Sequence, residues 1–140
     1  MRLRDVVTDE VAKKSAGGTF DDLESRLVEP GTLLEIRHVS IENRTTAFTR
    51  LVIGVADGLS FFQKEEQDSP AANNLYWTPN KFLIPAGKKL RARLTGCTSG
   101  DKIYMTYEGY LWDTEGAILV EIGLPPPPQR KESQRRRDFR

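Results

Sequence analysis

Alternation with a period of two residues is the feature that most limits what this chain can fold into. In "KKLRARLTG", Leu90, Ala92 and Leu94 alternate with Lys89, Arg91 and Arg93. In "DKIYMTYEGYLW", Ile103, Met105, Tyr107, Gly109 and Leu111 take one phase, and Tyr104, Thr106, Glu108, Tyr110 and Trp112 take the other. Successive side chains of a strand point to opposite faces, so both runs read as half-buried strands. A Gly/Ser/Asp turn separates them, and the stretch from 82 to 112 therefore reads as a β-hairpin.

The same pattern extends upstream. "EPGT" is a turn, and "LLEIRHVSIEN" after it puts Leu34 and Ile36 in one phase and Val39 and Ile41 in the other. That slip near Arg37 and His38 predicts a β-bulge. After the turn "NRTT", Leu51, Ile53 and Val55 share a face, and "LSFFQKEE" is a short strand. Residues 67–74 have the composition of a loop. "LYWTPNKFLIPAG" carries two prolines, which suits an edge strand or an irregular segment, because proline cannot donate to a ladder. "AILVEIGL" closes the series. Roughly seven or eight short strands thus lie between about 33 and 124, with turns every 8 to 12 residues or so and no convincing helix. The expected fold is all-β: an antiparallel β-sandwich or jelly roll over residues 29–124, with an N-terminal arm (1–28) and a C-terminal tail (125–140).

The two ends break the pattern. Residues 1–28 are polar and of mixed charge, with sparse apolar positions at Leu3, Val6, Val7 and Val11. Val7 and Val11 stand four apart, a spacing that allows one or two helical turns. Gly17 and Gly18 end any helix there, and Thr19 could cap a short turn through Leu23. This segment reads as an arm outside the core, either loose or ordered by a partner. The C-terminal tail, "PPPPQRKESQRRRDFR", opens on four prolines, which favour a stiff polyproline II rod. Arg130, Lys131, Arg135, Arg136, Arg137 and Arg140 follow against Glu132 and Asp138, a net charge of +4 within a chain of net +1, so the remainder carries −3.

Little in the chain points to catalysis. With one cysteine and one histidine in 140 residues, no intrachain disulfide can form, and zinc sites built on several such ligands are excluded. Cys97 and His38 are the only candidates for a nucleophile–base pair, but Cys97 sits in a turn and His38 in mid-strand, far apart in sequence. Glu65–Glu66 and Asp21–Asp22 lie in polar surroundings that do little to raise a carboxylate pKa. "SAGG" and "TSGD" lack the spacing of a phosphate loop. No apolar run approaches the ~18 residues of a membrane span, and the first residues lack the apolar stretch of a signal peptide. The expectation is a soluble, cytosolically made, non-enzymatic protein with no cofactor, no metal site and no membrane partner.

Two features remain to carry function. Tyr104, Tyr110 and Trp112 share one strand face, and Trp77 comes from the middle segments. Such rings pack well at protein interfaces, and they can also stack on sugar rings, as in carbohydrate-binding modules. The basic tail is open to three readings: a solvated charge run, a contact for an acidic protein surface, or phosphate contacts on nucleic acid, the last not favoured.

"FLIPAGKKLRARLTGCTSGDKIYMTYEGYLW" and the earlier "EPGTLLEIRHVSIENRT" resemble small β-sandwich proteins of tailed-phage virions: head decoration or cement proteins and the related neck and tail accessory proteins. The resemblance covers about residues 29 to 113. It implies a structural virion component that forms homo-oligomers and binds other virion proteins through its sheet faces and terminal arms. On that basis Tyr104, Tyr110, Trp112 and Trp77 are expected at an interface, and Arg130, Lys131, Arg135, Arg136 and Arg137 in tail contacts. The alternative is a carbohydrate- or receptor-binding β-sandwich module.

Overall fold

Residues 1–114 are described by a computed structural model. They form nine strands and no helix: β1 (Arg2–Lys14), β2 (Phe20–Glu24), β3 (Thr32–Asn43), β4 (Arg50–Ala56), β5 (Phe61–Asp68), β6 (Tyr76–Thr78), β7 (Phe82–Pro85), β8 (Lys89–Thr95) and β9 (Lys102–Asp113). All pairings are antiparallel. A five-stranded sheet runs β1-β9-β3-β6, with β7 beside β6 on the same edge of β3, and a four-stranded sheet runs β2-β8-β4-β5. The two sheets enclose one core, so the chain is a β-sandwich.

Period two fixes which side of each strand enters that core. Leu90, Ala92 and Leu94 of β8 are fully buried, as are Leu51 and Ile53 of β4 and Ile103, Met105 and Tyr107 of β9. From β3 come Leu34, Ile36, Val39 and Ile41. The phase slip in β3 is a bulge, with the register shifting between Ile36 and His38. Opposite Ile36 stands Gly109, where a Cβ would run into the Glu35 carbonyl oxygen. The bulge pushes β3 backbone toward β9 there, and only glycine leaves room. The proline-containing stretch behaves as an edge: β6 and β7 are short, flank a break at Pro79, and pair only with β3.

Two expectations are corrected. Residues 1–28 are not an arm outside the core. β1 pairs with β9 along its whole length, β2 pairs with β8, and Val7, Leu23 and Val28 are buried in the sandwich. Val7 and Val11, four apart, are both inward positions of a strand, not neighbours on a helix; Val7 faces Gly109 and Val11 faces Met105. The segment looked unlike core because β1 is an edge strand with its outer side in water. Even its inner side carries Asp5, Asp9 and Lys13, inward charges that blunt an exposed edge.

The second correction concerns β8 and β9. They are consecutive and joined by a tight turn, yet they do not pair: β8 lies between β2 and β4 in one sheet, β9 between β1 and β3 in the other. The turn at 96–101 is an arch that carries the chain across the sandwich. Asp101 holds it, accepting hydrogen bonds from Thr98 N–H at 2.8 Å, Asn43 Nδ2 at 2.9 Å and Thr46 Oγ1 at 2.5 Å. The expected strand at 117–124 and the 125–140 tail lie outside the described residues.

Candidate protein-interaction face

Each sheet has an outer face, and the two differ in how far their own side chains satisfy them. On the four-stranded sheet, β8 and β2 build a charged layer. Arg93 donates two hydrogen bonds to Asp22, at 2.8 and 3.0 Å. Arg91 pairs with Glu24 at 2.5 Å, and Lys89 with the same carboxylate at 3.3 Å. The Arg93 guanidinium lies 3.9 Å from the centroid of Phe20, and Arg91 and Arg93 stand 5.2 and 5.1 Å from that of Phe61. The Asp22 hydrogen bonds raise the Arg93 pKa, outweighing its partial burial. Beside this layer Val52 and Ala56 of β4, on the outward phase, are nonetheless buried. Cations and rings there are already paired with one another.

The outer face of the five-stranded sheet is built differently. Residues directly opposite in an antiparallel ladder share a face. Across the strands, Val6, Tyr110, Glu35 and Leu83 form one row, and Leu3, Trp112, Leu33 and Pro85 the next. Tyr110 and Trp112 meet edge to face, centroids 6.1 Å apart at 60°. Trp112 Nε1 donates to Glu35 Oε1 at 2.9 Å, and Arg37 pairs with Glu35 at 3.3 Å while lying 5.8 Å from the Tyr110 centroid. Leu3, Val6 and Leu83 stay 44%, 62% and 43% exposed around this pair. Further along, Trp77 of β6 is 56% exposed and stacks on His38 with centroids 5.8 Å apart.

Of the four aromatic residues expected at an interface, the structure therefore brings Tyr110 and Trp112 together. Tyr104 sits toward the other end of β9 with the Arg44 guanidinium 3.8 Å from its centroid, and Trp77 stands apart at the sheet edge. Sequence reasoning missed Leu3, Val6 and Leu83. The period-two series Val6, Thr8, Glu10, Ala12 was the available signal for Val6, hidden because residues 1–28 read as an arm; Leu3 is out of phase with that series and reaches the face through the register shift between Leu3 and Asp5. Arg130, Lys131, Arg135, Arg136 and Arg137 lie outside the described residues.

Cys97 and His38 are not brought together. Cys97 belongs to the buried core cluster and receives a hydrogen bond from Asn43 Nδ2 at 3.5 Å; burial pushes its pKa up to about 11, which disfavours the thiolate. His38 lies on the outer face against Trp77, with Ser40 Oγ 3.5 Å from its Nδ1. The paired acids are spoken for in the same way: Asp21 accepts from Ser15 Oγ at 2.7 Å, Asp22 from Arg93, and Glu65 from Tyr76 and Thr78. Among the described residues no group of three potential metal ligands converges.

No known family model matches this chain, and no curated protein sequence matches it either.

Proposed function

We propose that this chain is a non-enzymatic structural module that docks on neighbouring subunits through the outer face of its five-stranded sheet. In this reading it is a jelly-roll-like accessory component of a tailed-phage virion, of the decoration, cement, neck or tail kind that residues 29 to 113 resemble. One observation carries the reading. On the four-stranded sheet the outward rings lie against ion-paired guanidinium groups, with Phe20, 45% exposed, 3.9 Å from Arg93, whereas the five-stranded sheet leaves the aliphatic Leu3, Val6 and Leu83 exposed around Tyr110 and Trp112. Exposed aliphatics around a rigid aromatic pair, with Arg37 at the rim, have the composition of a protein-binding core. The sugar-platform alternative is less well supported, because stacking needs free ring faces and those of Tyr104 and Tyr110 have guanidinium groups nearby.

The test is particle occupancy. Virions are purified from cells making the labelled chain, and wild type is compared with Val6→Arg and, as a control on the other sheet, Gln63→Arg. Wild type and Gln63→Arg are expected on the particle, Val6→Arg reduced at least tenfold. Wild type absent from particles overturns the virion assignment. Retention of wild type on a glycan array, lost in Trp77→Ala, transfers the function to carbohydrate binding.

A further inference from the structure

We propose that two copies of this chain dock end to end about a twofold axis, each inserting Leu59 into a pocket beside the β2–β3 connection of the other. This contact is separate from the Tyr110–Trp112 face and goes beyond the docking role given to that face. The knob is the first observation. Leu59 stands at the tip of the β4–β5 connection and is fully exposed. Single exposed leucines are ordinary on a protein surface, but this one sits on a fixed turn. Asp57 N–H donates to Ser60 O at 3.0 Å, and Asp57 Oδ1 accepts from the Leu59 and Ser60 N–H groups at 2.9 and 2.8 Å. Those two backbone donors, with Lys88 adding to them, lower the Asp57 pKa to about 2, so the carboxylate that holds the tip stays ionised. An apolar side chain held out by a rigid turn loses little freedom on binding.

The pocket is the second. Its volume is about 210 Å³, with Val28, Leu34 and Leu111 as its apolar lining and the exposed Leu27 beside them. Pockets for small molecules run from about 300 Å³ upward, so this one suits a single aliphatic side chain better. The third is charge. Also lining the pocket, Arg26 and Glu29 are exposed and make no ion pair among the described residues, whereas Arg4 is paired with Asp113 at 2.6 Å and Asp5 accepts the Val6 N–H. The knob carries the matching set, Asp57 and Lys88, 3.0 Å apart and both partly exposed. A carboxylate beside the knob meets the Arg26 guanidinium, and an ammonium meets the Glu29 carboxylate. The fourth is placement. Ala56, before the tip, pairs with Lys89; Val28 N–H donates to Lys88 O at 3.0 Å, and Val28 O accepts from Gly87 N–H at 2.9 Å. Knob and pocket thus share one end of the sandwich. Two copies facing each other make the contact twice, and the assembly closes as an isologous pair.

The test uses exposed positions, so the fold is expected to survive each substitution. Light scattering on the full chain is expected to give a dimer for wild type. Leu59→Glu is expected to raise the dissociation constant about a hundredfold or more, because two knobs are lost at once, and Arg26→Glu to raise it less. A monomeric wild type at high micromolar concentration, or a Leu59→Glu variant that associates as wild type does, overturns the pairing. Growth beyond a dimer as concentration rises overturns it in favour of a head-to-tail chain. Oxidative cross-linking locates the contact. Leu59→Cys chains mixed with tagged Leu27→Cys chains are expected to form a disulfide between chains. Tagged Phe20→Cys chains, substituted beside Thr95 at the other end of β8, are expected to stay free, and Cys97 is buried in all of them. Equal yield with the Phe20→Cys partner overturns the assignment of the pocket. Neither readout involves the Tyr110–Trp112 face or particle binding, so this contact and that docking surface stand or fall separately.

Discussion

Single side chains in this protein act by closing gaps between strands that sequence alone keeps far apart. Tyr107 is the clearest case. It is the largest fully buried side chain among the described residues, and its hydroxyl donates to Asp9 Oδ2 at 3.0 Å, so the core end of β9 is tied to an edge strand near the N-terminus. Burial, with the Asp9 carboxylate adding to it, pushes the Tyr107 pKa up to about 12. An unfolded tyrosine titrates near 10. The folded value is the higher one, so the neutral phenol stabilises the fold fully below pH ~10, and that contribution is lost as pH rises toward about 12. Tyr107→Phe is therefore expected to behave differently on the two sides of that window. Near neutral pH it loses a hydrogen bond to a charged acceptor, at a cost of about 1.5–3 kcal/mol. Between pH 10 and 12 its stability falls less steeply than that of wild type. Urea melts at a series of pH values check this, and parallel curves for the two proteins would show that Tyr107 stays protonated for some other reason or contributes nothing to the alkaline limb.

At the scale of elements, the strand pattern was legible and the sheet membership was not. β3, β4, β8 and β9 were readable because both faces are constrained: Leu90, Ala92 and Leu94 face the core while Lys89, Arg91 and Arg93 face the charged layer. The bulge at Arg37 was readable for the same reason, since a one-residue slip moves every later side chain to the other face. An arch and a hairpin, however, have the same local signature of two alternating runs around a glycine turn. What separates them is whether the neighbours of each strand are found elsewhere, and β8 and β9 each have two. β1 was illegible for a different reason. Its outer side faces water and its inner side carries Asp5, Asp9 and Lys13, so apolar content says little about its place. Of the candidate face, Tyr110 and Trp112 were legible and their aliphatic surround on β1 and β7 was not. Because β1 covers a full edge of β9, deleting residues 1–14 is expected to unfold or precipitate the protein, whereas an arm would leave melting unchanged. It removes Val7 from the core, removes the acceptor of Tyr107, and bares a 12-residue strand edge. Circular dichroism and solubility of the deleted chain decide between the two, and a cooperative melt within a few degrees of wild type would restore the arm.

For the whole molecule the question is how two sheets stay registered when no disulfide joins them. The core supplies most of the energy, and polar ties at the margins set the alignment. Lys13 Nζ donates to Asp22 O at 3.1 Å on the β1–β2 side, and the Asp101 network closes the arch end. The β5–β6 side is closed by Glu65. Its carboxylate accepts from Tyr76 Oη at 3.1 Å, from Thr78 Oγ1 at 3.0 Å and from Asn80 Nδ2, three donors spaced two residues apart after Leu75. Burial raises the Tyr76 pKa, and so does its bond to Glu65, so the phenol remains a donor. Glu65 belongs to the edge of one sheet and Tyr76 and Thr78 to the edge of the other, so this clamp spans the sandwich. A groove of about 320 Å³ lined by Glu65, Asn80 and Phe82 lies alongside, which keeps the clamp within reach of water and limits what it contributes. Glu65→Ala leaves three donors without their acceptor and is expected to cost about 1–3 kcal/mol; Glu65→Gln, which keeps one oxygen, is expected to cost less. At this chain length each kcal/mol lowers Tm by roughly 3–5 °C. The clamp shares no partner with Tyr107, so Glu65→Ala and Tyr107→Phe are expected to add within about 0.5 kcal/mol. Particle occupancy should not change with Glu65→Ala at temperatures below its melt, because the clamp lies away from the Tyr110–Trp112 face. A variant that melts like wild type would mean that the apolar core alone aligns the sheets on this side. One that melts like wild type yet leaves the particle would move the docking surface from the sheet face to the β5–β6 side.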